Sequence, residues 1–369
     1  MIRVLHVVDS LDLGGAQTVI LQIAQHLDRE RFSMEVATMH GRGFFTDKLE
    51  KEGIRVHCLA RSKYVPFYIP NFIRLITTQK FDVFHFHLFG ANWIAKPLAA
   101  LMGNRALIAH DHCNDNYRSA QPLHIWLDRL TNLASAKILA VSDSTARFLT
   151  EIEKIDPAKV LYLKNGIDTV RFQPAGEEIR KINRQKLGLP QDAVVVGGVG
   201  RFHPQKNFSL FLEIAALMRN QPHVFFALAG TGPEEEALRQ KAADLGLGER
   251  LVFTGLISDM PALYSALDVL LLTSRYEGMP MTILEAMASG IPAVGSNLDG
   301  VKEIITDGRN GFLAESGNTT EFAEKLTVLT ANPDIRRAMG AAARSHILSH
   351  YNISGMVSSL ETLYKEAVS

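Results

Sequence analysis

Two carboxylates and a pair of cations are the residues of this 369-residue chain best suited to chemistry. Glu277 and Glu285 stand with seven residues between them in Ser-Arg-Tyr-Glu-Gly-Met-Pro-Met-Thr-Ile-Leu-Glu-Ala-Met-Ala-Ser-Gly, residues 274–290. Pro280 suits the first turn of a helix and Gly290 its C-terminal cap, which predicts Glu285 inside a short helix and Glu277 on the loop entering it. Ile283, Leu284, Ala286, Met287 and Ala288 surround Glu285, and a helix that is apolar on every side is normally buried. A buried carboxylate without partners is costly, so this one calls for hydrogen-bond donors, which the hydroxyls of a ribose would supply. The structural alternative is a capping box, Thr282-x-x-Glu285; it leaves Glu277 unexplained and conflicts with Pro280 as the helix start.

Arg201 and Lys206 lie five positions apart on the loop that follows a Gly-rich strand end. A departing diphosphate develops negative charge, and fixed cations stabilise that charge more than they stabilise the ground state. A solvated basic loop is the alternative. Gly230-Thr-Gly232 would let a base or phosphate approach the backbone closely. Leu256 and Ile257 follow the next strand and are placed to offer main-chain groups to a base. Gly14 and Gly15 open a helix where the backbone could approach a phosphate or an acceptor, and an ordinary tight turn reads equally well. His85 and His87 alternate on a strand and share one face; no carboxylate or Cys completes a ligand set around them, so no metal is expected. His110 sits with Asp111 and His112 at the end of another apolar strand.

Parallel strands must position these groups. β-Branched and apolar runs at Arg3–Val8, Ser33–Met39, Val56–Leu59, Asp82–His87, Ala106–His110 and Lys137–Val141 alternate with helical or loop segments, and the pattern restarts at 194–200, 224–229, 251–253, 269–272 and 293–294. Such alternation predicts parallel sheets with ligands at the carboxyl ends of the strands. The expected architecture is α/β: two Rossmann-like, doubly wound domains, residues 1–172 and 173–350, facing across a cleft. The charged, helix-like stretch Glu177–Leu189 reads as a connector, and Tyr351–Tyr364 as a helix with Met356, Val357, Leu360 and Tyr364 on one stripe.

Composition narrows the class. Hydrophobic residues make up 47% of the chain, and 39 basic residues balance 39 acidic ones, which speaks against nucleic acid as a partner. Cys58 and Cys113 form no CxxC pair, so a reduced, cytoplasmic protein is expected. No apolar run approaches the roughly 18 residues a spanning helix needs, so any membrane contact is peripheral, at the inner face. The aromatic stretch from Tyr64 to Pro70, with Phe72, would suit a lipid tail or a membrane surface, or would pack beneath a loop.

Taken together, Leu13-Gly-Gly-Ala16, Asn165-Gly-Ile-Asp168, Gly200-Arg201 with Lys206, Gly230-x-Gly232 and the segment Glu277 to Gly290 resemble the retaining glycosyltransferases of the GT-B fold, family four. The resemblance implies that Arg201 and Lys206 hold a donor diphosphate, that Glu285 binds ribose hydroxyls, and that Glu277 contacts the transferred sugar. Amides of Gly278, Met279, Met281 and Thr282 would meet sugar hydroxyls and phosphate at a helix N-terminus. His110 matches the family's strand-end histidine and would set position and polarity at the reacting centre. Residues 351–369 would cross back to the first domain. The implied reaction moves a sugar from a UDP- or GDP-linked donor to a sugar or lipid-linked acceptor with retention, without metal or other cofactor, in surface polysaccharide or glycolipid synthesis. Gln17, where an acidic residue is common, and Phe202, in place of an aliphatic, depart from the pattern. A nucleotide-sugar epimerase of the same architecture and a non-catalytic nucleotide-sugar binder are the alternatives.

Overall fold

Thirteen strands form among the described residues, and the central ones, from Val-, Ile- and Leu-rich runs, are buried on both faces beneath the covering helices. A computed structural model describes residues 1–60, 68–112 and 122–369. It divides into two compact units, residues 1–166 with 353–369, and residues 167–352. In the first unit β1 (Ile2–Val8), β2 (Phe32–Thr38), β3 (Arg55–Cys58), β4 (Val83–His87), β5 (Leu107–Asp111), β6 (Lys137–Ala140) and β7 (Val160–Tyr162) make one seven-stranded sheet in the order β3-β2-β1-β4-β5-β6-β7. In the second, β8 (Val194–Val199), β9 (Val224–Ala229), β10 (Leu251–Gly255), β11 (Val269–Leu272), β12 (Ala293–Ser296) and β13 (Gly311–Ala314) run in the order β10-β9-β8-β11-β12-β13. All pairings are parallel. Each sheet starts at its centre and winds outward both ways, so the order reverses beside β1 and beside β8, where such sheets bind ligands at their carboxyl ends.

The α/β, two-sheet architecture follows the alternation in the sequence. The edge strands β7 and β13 escape it, because three or four residues, with Tyr162 exposed and Gly311 leading the other strand, show neither alternation nor a long apolar run. The connector expected at 177–189 is a helix, Glu177–Lys186, built into the second unit. Its Arg184 is buried and pairs with Asp268 at 2.6 Å, while Asp268 also accepts from the Val195 amide at 2.7 Å, tying the helix to the start of β8. The chain passes between units at 166/167 and 352/353, against 172/173 and 350/351 read from sequence. Ile167 donates to the Tyr351 carbonyl at 2.7 Å and Arg344 donates to the Phe172 carbonyl at 3.0 Å, which holds residues 167–172 in the second unit.

Val7, Phe72, Phe84 and Phe86 anchor the first core; Val196, Phe211, Phe226 and Leu271 anchor the second. Tyr68 and Phe72 are therefore interior, while residues 64–67 of the aromatic stretch lie outside the described residues. The last helix, Ile353–Val368, buries Met356, Val357, Leu360 and Tyr364 within the first unit and packs on the helix Gly15–His26. Its Glu361 accepts from the Asp28 amide at 2.9 Å. No helix among the described residues is long and apolar enough to cross a membrane.

Candidate functional site

In the second unit two loops from neighbouring central strands are stitched together. The loop after β8 turns at Asn207, in the left-handed conformation, and its carbonyl accepts from Thr273 Oγ1 at 3.1 Å. Gln205 accepts from the Arg275 amide at 2.8 Å and donates to the Tyr276 carbonyl at 3.1 Å. These bonds bring Lys206 Nζ to 2.6 Å from Glu277 Oε1, and Ser274 Oγ donates to the same oxygen at 2.6 Å. Oε2 of Glu277 has no partner among the described residues, so the carboxylate keeps acceptor capacity for a ligand hydroxyl. Arg201 is exposed on the same loop and pairs with no carboxylate among the described residues. Gly230 ends β9 at φ +145°, and a Cβ there would fall 1.9 Å from the Gly200 carbonyl oxygen, so only glycine lets these two strand ends close up. Beyond β10, Leu256 is exposed and Ile257 half-buried.

The helix that follows Glu277 spans Met281–Ala288. Pro280 is its N-cap, one position before the first-turn place the sequence suggests, and Thr282 lies inside the first turn; the capping-box reading therefore fails. The amides of Met281 and Thr282 are among the first N–H groups of the helix, which have no intrahelical acceptor. Thr282 Oγ1 is buried without a partner. Gly278 and Met279 are buried beside them, and Gly278 packs so tightly on Gly300 that a Cβ at Gly300 would stand 1.8 Å from the Gly278 oxygen. At the other end Gly290 (φ +79°) closes a Schellman motif, with Ile291 donating to Ala286 and Gly290 to Met287, both at 3.0 Å.

Glu285 is buried and accepts from Tyr264 Oη at 2.8 Å. Burial pushes its carboxyl up to about 7, with the Tyr264 bond and the charge of Arg171 pulling the other way. At neutral pH it thus sits on the edge of ionisation, where a donor-rich ligand would draw it to the carboxylate form.

The first unit places different chemistry at its strand ends. The register sets His6 of β1 opposite His85 of β4, and His87 opposite His110 of β5, all facing one way. His112 follows two residues after His110, and Tyr364 of the C-terminal helix reaches the same imidazoles, 2.7 Å from His85 Nδ1. The sequence offers no carboxylate or Cys to complete a set around His85 and His87, but histidines from β1 and from the end of β5 gather beside them. His6, His85 and His87, and likewise His87, His110 and His112, bring one nitrogen each within 4.8 Å of one another. Burial lowers every one of these rings, His6 to about 3 and His112 to about 4, so all are neutral at neutral pH. A cavity of about 50 Å³ opens beside His110 and His112, lined also by Asn92, Asp128 and Asn132. Gly14 and Gly15 are exposed at the head of the first helix; a Cβ at Gly14 would meet Gln17 Oε1 at 2.3 Å, and buried Gln17 donates to the Ser10 carbonyl at 2.9 Å.

Tyr264, His6 and Tyr364 are the site neighbours that spacing could not find. Each is remote in sequence from the group it touches, and the helical stripe that carries Tyr364 announces its burial but not its partners.

The profile described as Glycosyl transferases group 1 matches residues 179–346, and that described as Glycosyltransferase Family 4 matches residues 13–171. The UDP-Gal:alpha-D-GlcNAc-diphosphoundecaprenol alpha-1,3-galactosyltransferase of Escherichia coli is 27% identical, covering 100% of this chain and 97% of its own. The GDP-mannose-dependent alpha-(1-6)-phosphatidylinositol monomannoside mannosyltransferase of Mycolicibacterium smegmatis is 27% identical over 92% of this chain and 91% of its own. In structure, Anabaena HepE in complex with UDP-glucose superposes with a TM-score of 0.88 at 22% identity, covering 99% of this chain and 100% of its own.

Proposed function

The chain belongs to the family 4 glycosyltransferases of the GT-B fold, and from that premise we propose that it transfers a sugar, with retention, from a UDP- or GDP-linked donor to a sugar or lipid-linked acceptor. The observation that carries the reading is the meeting of Lys206 and Glu277 at 2.6 Å from two different strand-end loops, beside the open N-terminus of the helix Met281–Ala288. A cation and a carboxylate so placed serve the two poles of one bond. Lys206 and Arg201 stabilise charge building on the leaving diphosphate, while Glu277 accepts hydroxyls of the sugar whose anomeric carbon turns positive. The helix amides and Thr282 Oγ1 take phosphate or sugar oxygens. Glu285 accepts the ribose hydroxyls, Gly230, Leu256 and Ile257 border the base, and Gly14 and Gly15 admit donor phosphate or acceptor at the first unit's helix head.

The bond between the anomeric carbon and the diphosphate oxygen breaks as the acceptor hydroxyl attacks from the same face, and the acceptor's proton passes to the departing phosphate oxygen. No side chain acts as nucleophile, and no metal is needed, because the paired cations neutralise the leaving group. His110 positions the sugar.

A membrane-linked acceptor would bring the first unit to an anionic bilayer. The helix Pro122–Asn132 and the residue after it expose Leu123, Trp126, Leu130 and Leu133, with Lys159 Nζ 3.1 Å from the Leu133 carbonyl at the end of the stripe. That stripe, rather than Tyr68 or Phe72, is the surface for such a contact.

Calorimetric titration of UDP, GDP and ADP with and without magnesium tests the site. One nucleotide binding without magnesium, and lost in Glu285→Ala, is expected; binding that requires magnesium would refute metal independence. NMR of the first product fixes the anomeric outcome, and inversion would overturn retention.

A further inference from the structure

Five imidazoles and one phenol in the first unit form a single unbranched chain of hydrogen bonds. His112 Nε2 meets His87 Nδ1 at 2.8 Å, and His87 Nε2 meets His6 Nδ1 at 3.0 Å. His6 Nε2 meets Tyr364 Oη at 3.2 Å, Tyr364 Oη meets His85 Nδ1 at 2.7 Å, and His85 Nε2 meets His110 Nδ1 at 3.2 Å. The far nitrogen of His110, Nε2, is buried without a partner.

Counting protons turns this geometry into a constraint. Each neutral imidazole carries one N–H and the phenol one O–H, so six groups bring six protons to five bonds. Every bond takes one proton, and the sixth must project from one end of the chain. Only two complete arrangements exist, and they convert only if all six groups change together. In one, His110 shows a bare Nε2 and His112 carries its proton on Nδ1; in the other, His110 presents Nε2–H and all five rings are Nε2–H tautomers. The second uses the intrinsically favoured tautomer at every ring and leaves the bare nitrogen on His112, which is partly exposed and open to water.

We propose that this relay locks His110 as a neutral hydrogen-bond donor through Nε2, with Tyr364 of the C-terminal helix as the positioning residue at its middle. The inference rests on the reading that His110 faces the reacting sugar: a fixed N–H there binds a sugar or phosphate oxygen and cannot accept a proton. Metal ligation is the competing use of the same rings. It would require bare nitrogens converging on a point, whereas here the nitrogens meet in pairs, and an ion held by either triad would break bonds of the chain, those of His6 and His85 or that of His87 with His112.

Long-range proton–nitrogen NMR on the ¹⁵N-labelled full chain reads the tautomers directly. Five neutral rings, each protonated at Nε2, are expected in the parent, and this spectrum alone decides the polarity. Tyr364→Phe cuts the relay, and His110 should then show a mixture of both tautomers, with kcat falling about 10-fold at unchanged donor KM, the scale on which supporting partners act. An Nδ1–H tautomer or a charged ring in the parent, or a His110 tautomer indifferent to Tyr364→Phe, would overturn the relay. So would stoichiometric Zn²⁺ binding that erases the Nε2–H pattern. His110→Ala separates the two levels: full turnover in that variant refutes His110 at the reacting sugar and leaves the spectrum to judge the relay, whereas lost turnover with mixed parental tautomers refutes the relay alone.

Discussion

The two units share a parallel sheet that reverses beside its first strand, yet they arm the strand ends in opposite ways. The first gathers neutral rings: five histidines and Tyr364, with burial holding the imidazoles uncharged. The second gathers charge, Lys206 against Glu277, and keeps Glu285 near its ionisation point. The difference teaches that the fold supplies only the place, while burial and partner choice decide whether that place carries polarity without charge or charge itself. A neutral face suits an uncharged acceptor hydroxyl; a charged face suits a diphosphate.

Acid should separate the units most strongly. The unfolded chain protonates its histidines below about 6.5, whereas folded His6 resists until about 3, so stability of the first unit falls as pH falls through that window. His6 alone corresponds to ~5 kcal/mol across it. Hydrogen exchange at β4 amides between pH 7 and 5 should show protection dropping, with His6→Asn flattening the slope; a pH-independent β4 would break the contrast.

Lys206→Ala should cost turnover roughly 10²- to 10³-fold, or ~3–4 kcal/mol, since it removes a charge that acts mainly on the leaving group and strands a buried Glu277. Steady-state kinetics beside a melting curve distinguishes lost catalysis from lost folding, and Lys206→Arg should recover part of the rate.

Glu285 gives the second unit the reverse response to acid. Its folded value, about 7, lies above the unfolded 4.5, so its contribution is greatest below that lower value and declines as pH rises through the window. The span amounts to ~3 kcal/mol. Glu285→Gln should remove this slope from the exchange of β11 and β12 amides; an unchanged slope would mean the carboxyl is ionised throughout. In nucleotide titrations near pH 6, binding should release a proton, visible as an enthalpy that depends on the buffer.

The smallest effect is expected at the exposed stripe of the first unit. Trp126→Asp should weaken sedimentation with phosphatidylglycerol vesicles by about 1–3 kcal/mol while leaving nucleotide affinity intact. Equal binding by parent and variant would place any bilayer contact elsewhere.

Much of this was legible before folding. The helix around Glu285 could be read from Pro280, Gly290 and the apolar letters between them, and it ends within one residue of expectation because caps are local. The alternation of His85 with His87 announces a shared face because a strand repeats every two residues. The short edge strands β7 and β13 escape the pattern because three or four residues are too few to show it, and the helix-like stretch at 177–189 is a helix that belongs to the second unit rather than a connector. What the sequence determined by itself, then, was whatever depends on neighbours along the chain: strand, cap, loop and the face each residue takes. Tertiary structure alone decided the register that brings His6 beside His85, the contacts that set Tyr364 between them, the 2.6 Å meeting of Lys206 with Glu277, and the burial that lifts Glu285 to about 7. Those are contacts between residues tens to hundreds of positions apart, and no local periodicity encodes which of many compatible faces will be pressed together.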